Sequence, residues 1–106
     1  TMEIIFGREN AEELRKKYTV LDLETVVKDG ISLEVFCLIP ADKIKLQDIS
    51  TLSRWTIVHN EFLAGYKKKE YDFCRQCMEH LKGQFGGEVD TFYDEILRRI
   101  DEAEAK

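Results

Sequence analysis

Little in this chain marks a catalyst. Its 106 residues hold two histidines, three cysteines, one proline and one tryptophan. No apolar run approaches the roughly 20 residues that a membrane-spanning helix needs, and the N-terminal stretch lacks the basic flank and apolar core of a secretory signal. An odd number of cysteines without an export signal speaks for reduced thiols and against a disulfide framework. The expectation is a cytoplasmic protein with no membrane partner. Positive charge is also scarce: sixteen basic residues face twenty-one acidic ones, for a net charge of −5. Such a chain has no general attraction for a phosphate backbone, so nucleic acid is not an expected partner. Only residues 41–82 are mildly basic, and Arg54, Lys67, Lys68 and Lys69 are the positions on which a nucleic-acid reading would rest; a run of three lysines is usually a solvated helix end.

An apolar share of 43%, with six phenylalanines and four tyrosines, supplies a modest core. That length and core predict one domain over 1–106. Its two halves differ in pattern: 1–40 reads as strand, helix and hairpin, and 41–106 as helical, with "PADK" from Pro40 as the join. "MEIIFG" reads as a short strand ended by Gly7, and "RENAEELRKKY" as a helix with a capping box from Asn10 to Glu13. "YTVLDLETVV" and "ISLEVFCLI" read as strands on either side of a tight turn at Asp29-Gly30. Strict alternation puts Leu21, Leu23, Thr25 and Val27 on the core face of the first, with Asp22 and Glu24 outside. In the second, Ile31, Leu33, Val35, Cys37 and Ile39 share a face.

From about Asp48 the apolar period lengthens to three and four residues. Ile49, Leu52, Trp55, His59, Phe62 and Tyr66 mark one helix, and Tyr71, Cys74, Cys77, Met78 and Leu81 a second. "GQFGG" breaks the pattern before Val89, Phe92, Tyr93, Ile96 and Ile100 mark a third; Asp90 is a plausible N-cap, and "DEAEAK" is expected to fray. The fold class is α+β: a small antiparallel sheet with a β-hairpin, packed against a C-terminal three-helix segment.

Within "FLAGYKKKEYDFCRQCMEHL", the small and aromatic positions Ala64, Gly65, Tyr66, Tyr71 and Cys74 resemble one helical hairpin of tetratricopeptide type. Lys and Glu stand in the turn where that pattern has Gly, and no second copy follows, so no solenoid groove is implied. "EIIFGRENAEELRKKYTVLDLET" and "DFCRQCMEHLKGQFGGEVDTFYDEILRRI" are similar to small uncharacterised proteins of tailed phages of marine bacteria. That resemblance implies an accessory or regulatory protein and carries no catalytic residues.

Four groups of residues could bear chemistry. Cys74 and Cys77 lie one helical turn apart, and a metal site would need His59 or Cys37 to complete it. Both cysteines also fall on the apolar stripe, where a free thiol behaves as a small hydrophobe, and packing is the favoured reading. His59, flanked on its helix face by Trp55 and Phe62, reads as a hydrogen-bonded core residue ahead of a catalyst. Asp22, Glu24 and Glu34 on an open sheet could hold a divalent cation, against the simpler reading of solvated carboxylates. Trp55, Phe85, Phe92 and Tyr93 exceed what three helices need, and an aromatic surplus marks an interface. The functional expectation is therefore a noncatalytic protein-binding or regulatory module that engages a protein partner or its own copy as a dimer, with no cofactor. The alternative is a small metal-dependent enzyme or metal-binding protein using the sheet carboxylates or the cysteine cluster.

Overall fold

The computed structural model describes residues 2–106. Strand β1 (Glu3–Phe6) leads at Gly7 into helix α1 (Arg8–Arg15), and strands β2 (Thr19–Lys28) and β3 (Ile31–Ile39) form the hairpin. Two short 3₁₀ turns, Ala41–Lys43 and Leu46–Thr51, precede α2 (Leu52–Lys67) and α3 (Tyr71–Leu81). A third 3₁₀ turn, Phe85–Gly87, precedes α4 (Asp90–Glu104). This is the α+β arrangement expected from the pattern, with an antiparallel sheet and a helical C-terminal half.

The sheet order is β1-β3-β2, so the long strand β3 is central and both neighbours run antiparallel to it. One face of the sheet carries Leu21, Leu23, Val35, Cys37 and Ile39 into a large core with Phe62, Cys74, Leu81, Tyr93, Ile96 and Ile100 of the three C-terminal helices. On the other face Ile5, Val20, Phe36 and Leu38 close over Ala11 of α1. The sheet is the middle of three layers, and the larger core is built from both halves of the chain.

The turn is the two-residue type expected: Asp29 and Gly30 both have positive φ, 54° and 77°, as a type I′ hairpin requires. Other expectations fail locally. The capping box of α1 does not form. Gly7 is the N-cap, and the Asn10 amide turns back to donate to the Phe6 carbonyl at 3.0 Å, fixing the strand-to-helix corner instead. Ile49 lies exposed in a 3₁₀ turn, because α2 begins only at Leu52. Asp90 is the first residue of α4 and not its N-cap; its carboxylate accepts from the Gly83 amide at 2.9 Å, bridging the breaker. The C-terminal stretch stays helical to Glu104, since Arg75 of α3 holds both Asp101 and Glu104.

The largest departure is a β-bulge. β2 and β3 pair in step from Thr19↔Ile39 to Asp22↔Phe36, then resume at Glu24↔Val35 with Leu23 as the extra residue. A bulge reverses which side chains face each side beyond it. Leu23 and Glu24 both turn to the helical layer, and Thr25 and Val27, expected in the core, turn to the opposite face and lie exposed.

Helix α2 ends in a Schellman motif: the Glu70 amide donates to Gly65 O at 2.9 Å and the Lys69 amide to Tyr66 O at 3.1 Å. The left-handed residue is Lys69, with φ 62°. Phe85, Gly86 and Gly87 are left-handed in succession, and a Cβ on Gly86 would lie 2.1 Å from the Lys43 carbonyl oxygen. We therefore expect Lys69→Gly to stabilise the fold by about 0.5–1 kcal/mol. Gly86→Ala should cost at least about 2 kcal/mol through strain and collision with backbone. Paired urea titrations of the two variants against the parent measure both, and a destabilised Lys69→Gly would show that its aliphatic stem, and not its backbone, matters.

Candidate functional site

The residues singled out for chemistry are accounted for one by one by local interactions. Cys37 sits within the sheet core, and burial pushes its thiol up to about 12. Cys74 is buried where α2 and α3 meet at Gly65: its sulfur lies 3.7 Å from the point a Gly65 Cβ would occupy and contacts the Phe62 carbonyl at 3.7 Å. Burial raises it to about 11 and raises Cys77 also, the opposite of what a reactive thiolate or metal ligand requires. His80 is exposed.

His59 is wholly buried, and both ring nitrogens are engaged. Its Nε2 lies 2.6 Å from the Asp22 carbonyl oxygen, which can only accept, so Nε2 carries the proton. Nδ1 then accepts from the Tyr93 hydroxyl at 2.8 Å. The single ring lone pair, on Nδ1, is thereby taken, and none is left for a metal or a substrate. The rings of Phe62, Phe85, Phe92 and Tyr93 surround the imidazole with centroids 5.7–6.4 Å away. Desolvation lowers the His59 pKa, and burial raises that of Tyr93.

This cage also disposes of three of the four aromatic interface candidates. Phe85, Phe92 and Tyr93 are core residues, so the aromatic surplus is spent around a buried polar ring and presents no patch to a partner. Trp55 is half-buried against the same core, with the Arg54 guanidinium 5.5 Å over its ring.

The sheet carboxylates are divided by the bulge and claimed by arginines. On the α1 face Arg8 grips Glu34 with Nε and Nη2, the closest contact 2.6 Å, while it stacks 5.2 Å over Phe36. Arg15 meets Asp22 at 3.3 Å. Glu24 lies on the helical side instead, 3.0 Å from Arg99, which also holds Glu95. Hydrogen bonding to Arg8 keeps the Glu34 carboxyl below the ordinary range, and Arg98 and Arg99 bring Glu95 to about 2. Among the described residues no group of three or more His, Cys, Asp or Glu is placed to hold a metal ion.

What the structure leaves open is the far end of the hairpin. β1 covers β3 only at Val35–Leu38, so the arm formed by residues 25–33 projects as a two-stranded ribbon. Val27 and Ile31 are 68% and 69% exposed, with Val26 and Leu33 exposed beside them. Val26 and Leu33 share the helix-side face with Ile4 and Phe6 of β1, also exposed, and a recess of about 390 Å³ runs from Met2, Ile4 and Phe6 past Val26 to Phe92 and Glu95 of α4. On the other side of β2 a groove of about 400 Å³ lies against α2, lined by Leu23, Glu24, Thr25, Asn60, Leu63 and Lys67 among others. The alternating pattern places Val27 on the core face of its strand, Ile31 and Leu33 on the face of Cys37, and Val26 outside with Asp22 and Glu24. The signal that separates them is length: ten residues of β2 and nine of β3 against four of β1 leave the distal ladder without a third strand.

Among the described residues no helix is long and apolar enough to cross a membrane. Compared with known proteins, the chain matches no family model, no curated protein and no solved structure.

Because burial holds His59 below its ordinary 6.5, the unfolded chain takes up a proton that the folded chain refuses as pH drops. Stability is therefore full above about pH 6.5 and falls below it. The carboxylates held down by arginine add their loss only at lower pH, below their ordinary 4.5. The urea midpoint should decline between pH 7.5 and 5.5, and His59→Gln should flatten that decline while lowering the midpoint overall. Tyr93→Phe, which strands Nδ1, should cost about 1–3 kcal/mol at pH 7.5.

Proposed function

We propose that this chain is a noncatalytic binding module, an accessory or regulatory protein of the kind its phage resemblance implies, and that it engages protein through the hairpin arm. The observation that carries this reading is the uncovered apolar surface of Val26, Val27, Ile31 and Leu33, continuous on one face with Ile4 and Phe6. A contiguous exposed apolar patch on a small chain is the ordinary mark of an association surface. The titratable groups support the same reading from the other direction. The buried imidazole has both nitrogens bonded, the thiols are pushed away from thiolate, and the sheet carboxylates are tied up by arginine.

Native mass spectrometry of protein purified without chelator tests the reading. The expected spectrum shows the chain free of metal and associated with itself or with another protein. Ile31→Glu combined with Leu33→Glu should abolish that association while the far-ultraviolet circular dichroism is unchanged. A monomer carrying one stoichiometric metal ion, indifferent to the arm substitutions, would overturn it.

A further inference from the structure

β2 is an edge strand, flanked only by β3. The first half of its outer edge is closed by side chains: Arg15 donates to the Val20 carbonyl at 2.8 Å and His59 to that of Asp22 at 2.6 Å. Beyond the bulge the edge changes. In a two-residue hairpin the flanking pair, Lys28 and Ile31, exchanges both backbone hydrogen bonds, and alternation makes Val26/Leu33 and Glu24/Val35 the other inward-bonded pairs. Thr25 and Val27 thus turn their N–H and C=O outward, and among the described residues nothing outside the sheet bonds to them. Natural edges are blunted by proline, lysine or a bulge. Here the bulge lies before this stretch and Lys28 after it, leaving Thr25-Val26-Val27 open between them.

An antiparallel strand pair is two-fold by construction, so such an edge can pair with its own copy. The outward groups of Thr25 and Val27 restrict the register to centres on residue 25, 26 or 27. A centre on Val26 sets Thr25 opposite Val27 of the second copy, twice, in bonded pairs, and Val26 opposite Val26 in the closely spaced unbonded position. It also sets Glu24 opposite Lys28 of the second copy, twice, with both side chains on the same face. A centre on Thr25 draws the bulge residue Leu23 into the ladder and brings Asp22 opposite Lys28 only across the bulge, with the two side chains on opposite faces; a centre on Val27 sets Lys28 against Val26. With the Val26 centre the second copy's turn falls beside Leu23 and Asp22, where the groove against α2 opens with Lys67 on its lining, to meet Asp29 of that turn.

We propose that two copies of this chain pair edge to edge through β2, antiparallel and centred on Val26, joining two three-stranded sheets into one of six strands. The proposal rests on the reading of the arm as an association surface and names its occupant. Sedimentation velocity over a concentration series, with cross-linking, tests it. The parent should pass from monomer to dimer. Val26→Cys should give a disulfide-linked dimer on mild oxidation, because residues opposite in an unbonded pair stand about 4.5 Å apart at Cα. Val27→Cys should not, and the three native cysteines are buried and contribute little background. Lys28→Glu should weaken the dimer about tenfold or more, and adding Glu24→Lys should restore a large part of it, as swapped cross-strand charges do, the remainder being lost with the intrachain pair of Glu24 to Arg99. Val27→Pro, which removes an outward donor and leaves the β2/β3 ladder intact, should abolish it. A parent that stays monomeric at several hundred micromolar overturns the dimer. A parent that dimerises without Val26→Cys cross-linking or charge-swap rescue overturns this pairing. If the parent dimerises by another pairing, the arm reading stands where Ile31→Glu/Leu33→Glu abolishes that dimer; if it stays monomeric, the arm reading stands only where the native spectrum shows a second protein that the same substitutions release.

Discussion

The bond from His59 to the Asp22 carbonyl is the constraint on which the rest of the structure turns. It joins the middle of α2 to the edge strand at the residue where the bulge begins, and through Nδ1 it reaches Tyr93 of α4. A buried imidazole costs free energy unless both nitrogens are paired, and here they are. The carbonyl it caps faces away from β3 on an edge strand, where water would otherwise have to serve it. One side chain therefore satisfies a backbone group, orients a tyrosine and gives four aromatic rings a common centre. Helix α2 is thereby fixed against the sheet at a defined height.

The bulge decides what lies beyond that point. Were β2 regular, Thr25 and Val27 would continue the face of Leu21 and Leu23, and Glu24 and Val26 would point to the α1 side. With Leu23 inserted, Glu24 swings to the helical side and finds Arg99, whereas Asp22 and Glu34 remain with Arg15 and Arg8. Exposed ion pairs of this kind contribute little stability, about 0–1 kcal/mol each. Their larger effect is chemical: three carboxylates that could have gathered around a cation are spread over two faces and neutralised. The same inserted residue carries Val26 outward to the side of Ile4 and Phe6. The scattering of the carboxylates and the placing of Val26 beside Ile4 and Phe6 are two results of one irregularity.

The parts of the fold that were legible in the sequence are those governed by local chemistry. Asp29-Gly30 announces its turn because few residues accept two positive φ angles in a row, and α3 is readable because Tyr71, Cys74, Cys77, Met78 and Leu81 repeat at helical spacing. The cysteine pair was legible as packing for the same reason. The bulge was not, since "VLDLETVV" alternates well enough to satisfy a regular strand, and only the register against β3 exposes the extra residue. The capping box failed because Gly7 already begins the helix and leaves Asn10 inside its first turn, bonded to Phe6. The aromatic surplus misled in the opposite sense. Counting rings without knowing that a histidine would be buried among them makes Phe85, Phe92 and Tyr93 look superfluous.

The arm itself is not required by either core. Both cores are complete by Glu24 on β2 and Val35 on β3, and no residue between them belongs to either core. Ordering a residue costs roughly 1–2 kcal/mol of conformational entropy, and a two-stranded ribbon without a third strand or a covering helix is marginal in water. A shorter hairpin turning at Glu24 would fold with the same cores and expose less apolar surface. Positions where local sequence and global fold disagree in this way are where function usually resides. On the proposed reading the disagreement is resolved by a strand from a second copy, since an open edge of alternating outward backbone groups is a surface whose natural complement is another strand.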